Sequence, residues 1–282
     1  MAAPIVPTTP LPSGTGMPVL GLGTWHMGEV ASRRREEVAA LRLGLDLGMN
    51  LVDTAELYGD GGAEEVVAGA LAGRRDQVFL VSKVLPSNAS RAGTVAACQR
   101  SLRRLRTDRI DLYLLHWRGP VPLAETVEAF ETLARAGQIR GWGVSNLDPA
   151  DMQELWSVPG GQGVLTDQVL YNPSRRGIEP DLLPWCRAHR IPIMAYSPIE
   201  QGRILKRKAL REVAARHGAT PAQVALAWAM RDGGVCVIPK ASSQAHVEEN
   251  RKALDLKLTG EDLADIDRAF PAPEEPGGLE ML

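Results

Sequence analysis

The sequence predicts an α/β fold: a (β/α)8 TIM barrel with a short N-terminal hairpin and an additional C-terminal helix. Three observations point there. Eight short β-rich runs alternate with helical patterns from about residue 20 onward, the signature of βα units around a parallel sheet. The first run, Gly21-Leu22-Gly23, leads into Thr24-Trp25-His26 rather than a GxGxxG turn, which disfavours a doubly wound dinucleotide-binding sheet. The length, 282 residues, is close to the ~250 typical of one such barrel. No linker, low-complexity tract or repeat beyond the βα alternation divides the chain, so one domain over 1–282 is expected.

Before the first barrel run, prolines and the turn-like Ser13-Gly14-Thr15-Gly16 suggest a small hairpin. The eight runs are GLGTW from Gly21, NLVDT from Asn50, VFLVSK from Val78, IDLYLLH from Ile110, IRGWGVS from Ile139, TDQVLY from Thr166, IPIMAYS from Ile191 and VCVIPK from Val235. Between the first two, Val38, Leu41 and Leu45 form an apolar helical stripe ended by Gly48. Another helix begins near Glu125 and stops at Gly137. Thr220-Pro221-Ala222-Gln223 joins a capping box to proline at the first helical position. Thr259-Gly260-Glu261-Asp262 repeats the box, followed by Leu263, Ile266 and Phe270 at helical spacing. That helix follows the eighth unit and is the expected addition.

A hydrophobic fraction of 44% and a charged fraction of 23% fit a globular chain with a sizeable core. The formal charge of -2 gives no electrostatic footprint for nucleic acid or an anionic membrane. Arg33-Arg34-Arg35 and Lys206-Arg207-Lys208 are short enough to read as solvated helix faces. Cys98, Cys186 and Cys236 are odd in number, widely spaced and without a CxxC, which disfavours both a disulfide framework and a zinc site. The proline-broken start carries no positively charged leader pattern, and no apolar run approaches ~20 residues, so a cytoplasmic location is expected. The five histidines show no clustered ligand spacing and no metal is expected.

In a βα barrel the functional side chains project from the C-terminal strand ends. Here those positions hold Trp25, Asp53, Lys83, His116, Ser145 with Asn146, Gln168, Tyr196 and Lys240. Taken singly, each has an ordinary reading: Asp53 as a turn cap, Tyr58 as a packed loop aromatic, Lys83 as a snorkelling strand-end lysine, His116 as a hydrogen-bonded core histidine. Their convergence on one rim favours a site. A tyrosine with its usual pKa of ~10 is a poor acid at neutral pH, and an ammonium beside the phenol would lower that value. Lys83 would supply the ammonium and Asp53 would fix it. With His116 donating to a substrate carbonyl oxygen, the set can protonate a carbonyl becoming an alkoxide.

DTAELYG, VSKV, DLYLLHW, GVSN, QVLYN, AYSP and IPKASSQAHVEEN stand in the order and at the strand ends found in the aldo-keto reductases, and the chain resembles that superfamily over nearly its whole length. VLPSN, SNLDPADMQELW, SRRGIEPDLLPWC and FPAP look most like bacterial methylglyoxal-reducing members. The resemblance implies Asp53, Tyr58, Lys83 and His116 as a catalytic tetrad with Tyr58 as general acid, and NADPH bound in extended form. It implies Ser145, Asn146 and Gln168 on the nicotinamide carboxamide and Tyr196 under the ring, with Thr24 and Ser197 also at the cofactor. Lys240 and Ser242 would meet a 2′-phosphate, and Glu249 and Asn250 the adenine. His246 stands where many members carry arginine, so NADPH is expected to be preferred with NADH used more weakly.

Trp25 and Trp117 are the expected substrate-pocket residues, and the short HWRGPVP loop and short tail suggest an open pocket for small carbonyls. A monomer is the family default. Two other functions compete: an aldolase-like lyase with Lys83 as Schiff-base nucleophile, and a non-catalytic cofactor-sensing protein on the same scaffold.

Overall fold

The structure, a computed structural model, describes residues 5–282. Strands β1 (Thr8–Pro10) and β2 (Gly16–Pro18) pair antiparallel as the expected hairpin. Eight further strands form one parallel sheet: β3 (Gly21–Gly23), β4 (Leu51–Asp53), β5 (Phe79–Val84), β6 (Leu112–Leu115), β7 (Trp142–Ser145), β8 (Asp167–Leu170), β9 (Ile193–Tyr196) and β10 (Val235–Val237). Each pairs with its sequence neighbours. The sheet closes where Leu20 meets Val237 and Gly23 meets Lys240 in parallel bridges, completing the barrel. The added Cβ of any larger residue at 23 would sit 2.5 Å from the Ile238 carbonyl oxygen, so this seam needs glycine.

Helices α1 (Arg34–Asp46), α2 (Gly62–Leu71), α3 (Arg91–Leu105), α4 (Leu123–Arg135), α5 (Pro149–Ser157) and α6 (Leu182–Ala188) follow the first six barrel strands. The seventh unit carries two, α7 (Lys208–Arg216) and α8 (Pro221–Met230), of which the sequence signals mark only the second. Lys206, Arg207 and Lys208 are all exposed, Lys206 ending a 3-10 helix and Lys208 opening α7, with Arg207 between them. After β10 come α9 (Gln244–Arg251) and the additional α10 (Gly260–Ala269). Both capping boxes form, with Thr220 accepting from the Gln223 amide and Thr259 from that of Asp262. Each satisfies amides that a helix start leaves without an intrahelical partner.

The period-two alternation of strands divides the core in two. Outward residues such as Val52, Leu80, Tyr113, Leu115, Ile193 and Val237 pack under the helices. Inward residues Leu51, Val81, Leu112, Leu114, Met194, Cys236 and Ile238 fill the barrel, and Leu11 and Met17 of the hairpin segment join that same cluster. The hairpin is therefore part of the barrel's interior packing. Two residues beyond an inward apolar side chain, the alternation again faces inward: Leu51 is followed by Asp53, Val81 by Lys83, Leu114 by His116, and Met194 by Tyr196. Polar groups thus crown an apolar plug.

Candidate active site

Lys83 is the centre of the crown. Its side chain is 0% exposed, and its Nζ donates to Asp53 Oδ2 at 2.9 Å, to the Thr54 carbonyl at 3.0 Å and to Tyr58 Oη at 3.1 Å. All three of its protons are therefore placed. Tyr58 arrives from the loop after β4, which turns through Gly59 and Gly61 at positive φ (57° and 86°) before α2 begins. On the far side of the phenol stands His116, edge-on with ring centroids 5.7 Å apart. No described residue hydrogen-bonds its ring, and Nδ1 is buried without a partner.

Burial raises the phenol pKa of Tyr58; the nearby Lys83 charge lowers it, and Asp53 raises it again, leaving a net upward shift. The expected lowering by Lys83 is present, but it does not set the net direction. Asp53 offsets much of the ammonium's field, and desolvation of the phenolate outweighs the remainder. In the free protein Tyr58 therefore keeps its proton. Burial pushes the Lys83 ammonium down, yet Asp53 and Tyr58 together overcome it and hold it above its ordinary value. A lysine held so firmly charged is a poor Schiff-base nucleophile. Burial and then the Lys83 charge push His116 down to about 2, so its imidazole is neutral.

The polar residues on neighbouring strand ends continue this arrangement. Gln168 Nε2 donates to Asp53 Oδ1 at 2.8 Å and lies 2.8 Å from Met194 Sδ. Ser145 Oγ donates to the Gln168 carbonyl (2.7 Å), Asn146 Nδ2 to Ser145 Oγ (3.1 Å) and to the His116 carbonyl (3.2 Å), and Tyr196 Oη to Asn146 Oδ1 (3.0 Å). Asn146 sits at φ 57°, a left-handed conformation that asparagine tolerates better than most residues. One hydrogen-bonded chain thus runs from Tyr196 to Lys83. Thr24 Oγ1 closes the ring beside it by donating to the Asp53 carbonyl at 2.9 Å. Gln168 Oε1 accepts from no described donor.

A cavity of about 780 Å³ opens over this ring. Trp25, Asp53, Tyr58, His116, Trp117, Ser145, Asn146, Gln168, Tyr196 and Ser197 line it at one end, with Thr24 beneath them. Lys240, His246, Glu249 and Asn250 line it as well, so the strand-end crown and the segment after β10 share one continuous space. Lys83 stands behind Tyr58, and Ser242 lies beside the cavity, bonded to Lys240 Nζ at 3.1 Å, rather than on its wall.

Sequence reasoning missed three contributors. Ile199, Gln201, Gly202 and Leu205, from the long segment between β9 and α7, form part of the wall. Met281 and Leu282 of the tail also line it, so the tail, though short, reaches the mouth. Arg33 remains exposed but donates to Ser242 Oγ at 3.1 Å, where the sequence suggested only a solvated helix face. The length of the segment after β9 was a usable signal; nothing local marked Arg33.

The space and its donors fit a long polar dinucleotide. The volume lies within the ~300–1,000 Å³ of ligand pockets, the imidazole of His116 is unpaired, and Lys240 brings a cation to the cavity wall. Among the described residues no group of three or more His, Cys, Asp or Glu is placed to hold a metal ion, and no helix is long and apolar enough to cross a membrane.

Comparison with known proteins gives a consistent picture. The model of the "Aldo/keto reductase family" matches residues 19–270. The methylglyoxal reductase YeaE of Escherichia coli K12 is 54% identical over 94% of this chain and 95% of its own. The glyoxal reductase of Bacillus subtilis is 32% identical, covering 95% of this chain and 96% of its own. A crystal structure of an aldo/keto reductase from Klebsiella pneumoniae in complex with NADP and acetate superposes with a TM-score of 0.96 at 52% identity, covering 99% of this chain and 100% of that one.

Proposed function

The chain belongs to the aldo/keto reductase family, and from that premise we propose that it reduces methylglyoxal-like 2-oxoaldehydes and other small aldehydes and reactive ketones to alcohols, with Tyr58 as the proton donor. It is an NADPH-dependent carbonyl reductase, in keeping with relatives named for methylglyoxal and glyoxal reduction and a neighbour crystallised with NADPH. The observation that carries the residue assignment is the placement of Lys83 Nζ between Asp53 (2.9 Å) and Tyr58 (3.1 Å), with His116 across the phenol.

The chemistry that a bound NADPH supplies is hydride for the carbonyl carbon. Tyr58 and His116 bind the carbonyl oxygen between them. As negative charge grows there, the Tyr58 proton moves to it, and the phenolate left behind is stabilised by Lys83 at hydrogen-bond distance. The raised pKa of the free phenol is compatible with this role, because the acid must be protonated when the substrate arrives. His116 donates a hydrogen bond as a neutral imidazole and carries no charge to repel Lys83. Ser145, Asn146 and Gln168 offer amide and hydroxyl groups suited to a carboxamide, with Thr24 and Ser197 near them and Tyr196 giving a flat face. Lys240 and Ser242 form the phosphate end, and Glu249 and Asn250 the adenine end. The alcohol leaves past Trp25 and Trp117.

We expect it to act as a monomer, and its three free buried cysteines suit a reducing cytoplasm. NADH is expected to serve less well. The test is a panel of small aldehydes and 2-oxoaldehydes assayed by loss of NADPH absorbance, with Tyr58→Phe alongside. The variant is expected to lose roughly 10²–10⁴-fold in kcat while binding NADPH as before. Normal turnover by Tyr58→Phe, or no carbonyl-dependent NADPH loss in the native protein, would sink the assignment.

A further inference from the structure

The barrel seam brings together two segments that are remote in sequence. Because Gly23 pairs with Lys240, the loop leaving β3 runs beside the loop leaving β10. At that junction Ser242 Oγ lies 3.1 Å from Lys240 Nζ and 3.1 Å from Arg33 Nη2. Two cations therefore converge on one small hydroxyl. Arg33 forms no ion pair among the described residues, and of the nearby acids Glu29 bonds His26 at 2.7 Å and Glu37 accepts from the Gly28 amide at 3.0 Å. The next arginine in the run, Arg34, is likewise taken by Glu65 at 3.0 Å. Burial and then the Arg33 charge lower the pKa of Lys240, and the charges of Glu37, Glu29 and Glu36 offset this only in part. Position 246, on the same cavity, holds a histidine and brings no permanent charge there.

We propose that Arg33 is a specificity-determining residue for the 2′-phosphate of the dinucleotide, supplying from across the seam the guanidinium that position 246 lacks. The inference rests on the NADPH reading above. A guanidinium offers a fork of donors to phosphate oxygens, Lys240 a second charge and Ser242 a hydroxyl between them. NADH, with a ribose hydroxyl there, would leave both cations facing each other. The run Arg33-Arg34-Arg35 thus divides its labour: its first member serves the cofactor and its second the helix surface.

The measurement is equilibrium binding in the absence of substrate, followed by tryptophan fluorescence or calorimetry, for NADPH, NADH, 2′,5′-ADP and 5′-AMP. Arg33→Gln is expected to weaken NADPH and 2′,5′-ADP by about 10- to 100-fold, the range of one charge-assisted hydrogen bond, and to leave NADH and 5′-AMP unchanged. Arg33→Lys should recover part of the loss, and Arg35→Gln should do nothing. Unchanged NADPH affinity in Arg33→Gln, with a large loss in Lys240→Ala, overturns the role of Arg33 and leaves the cofactor reading standing. Equal weakening of NADPH and NADH overturns it as well. If neither variant affects NADPH, the placement of the phosphate at Lys240 falls with it.

Discussion

Lys83→Met tests the centre of the site, because it removes one charge of a fully desolvated pair while nearly preserving side-chain volume. Lys83 is 0% and Asp53 2% exposed, so solvent cannot replace the lost ammonium. Three hydrogen bonds of 2.9 to 3.1 Å vanish at once, and Asp53 keeps on its side chain only the bond from Gln168 at 2.8 Å. Removing one partner of a buried ion pair costs about 3–5 kcal/mol, most of it from the charge left behind. Urea unfolding read by tryptophan fluorescence is expected to show that loss. Asp53→Asn combined with Lys83→Met removes both charges and should recover a substantial part of it, giving a coupling of roughly 1–3 kcal/mol in the double-mutant cycle. Turnover should stay lost in the double variant, since the phenolate of Tyr58 then has no cation. If Lys83→Met costs less than about 1 kcal/mol, or the double variant costs the sum of the singles, the pair does not hold the site as argued.

His116 is pushed down to about 2 from an ordinary 6.5, so between about pH 5 and 8 it should contribute no step to the pH profile of kcat, and an inflection traced to it by loss in His116→Gln would count against its neutral role. The stability sign follows from the same shift. The unfolded chain takes up a proton below about pH 6.5 and the native one does not, so native stability should drop with acid more steeply than in His116→Gln, as urea titrations at several pH values would show. Asp167 behaves oppositely: burial raises its carboxyl pKa well above 3.8, so its unfavourable contribution grows as pH rises through and beyond the unfolded value. Asp167→Asn should therefore gain stability relative to the native protein from about pH 4 upward, and a pH-independent difference would refute the assignment.

How legible this protein is in its sequence depends on the range of the interaction. Strand runs, helix caps and the inward periodicity are set by neighbouring residues, so the eight strands, the capping boxes at Thr220 and Thr259 and the strand-end positions of Asp53, Lys83 and His116 were readable in order. The first helix of the seventh unit was not, because α7 starts on Lys208 without a side-chain cap. The wall from Ile199 to Leu205 was missed because, of the three left-handed residues in its turns, Glu200 and Gln201 have side chains that do not announce that conformation, and Gly202 alone does not show where the segment folds.

The sequence by itself determined the barrel and the chemistry of its rim, since alternation and residue type act locally and motif order is preserved along the chain. The tertiary structure decided two matters. The balance of burial against charge at Tyr58, where the phenol ends above its ordinary pKa, depends on how completely Asp53 offsets Lys83 and on how much water the packed loop excludes. The meeting of Arg33 with Ser242, 209 positions apart, depends on sheet closure, which joins the first and last strands at a seam no local pattern can mark.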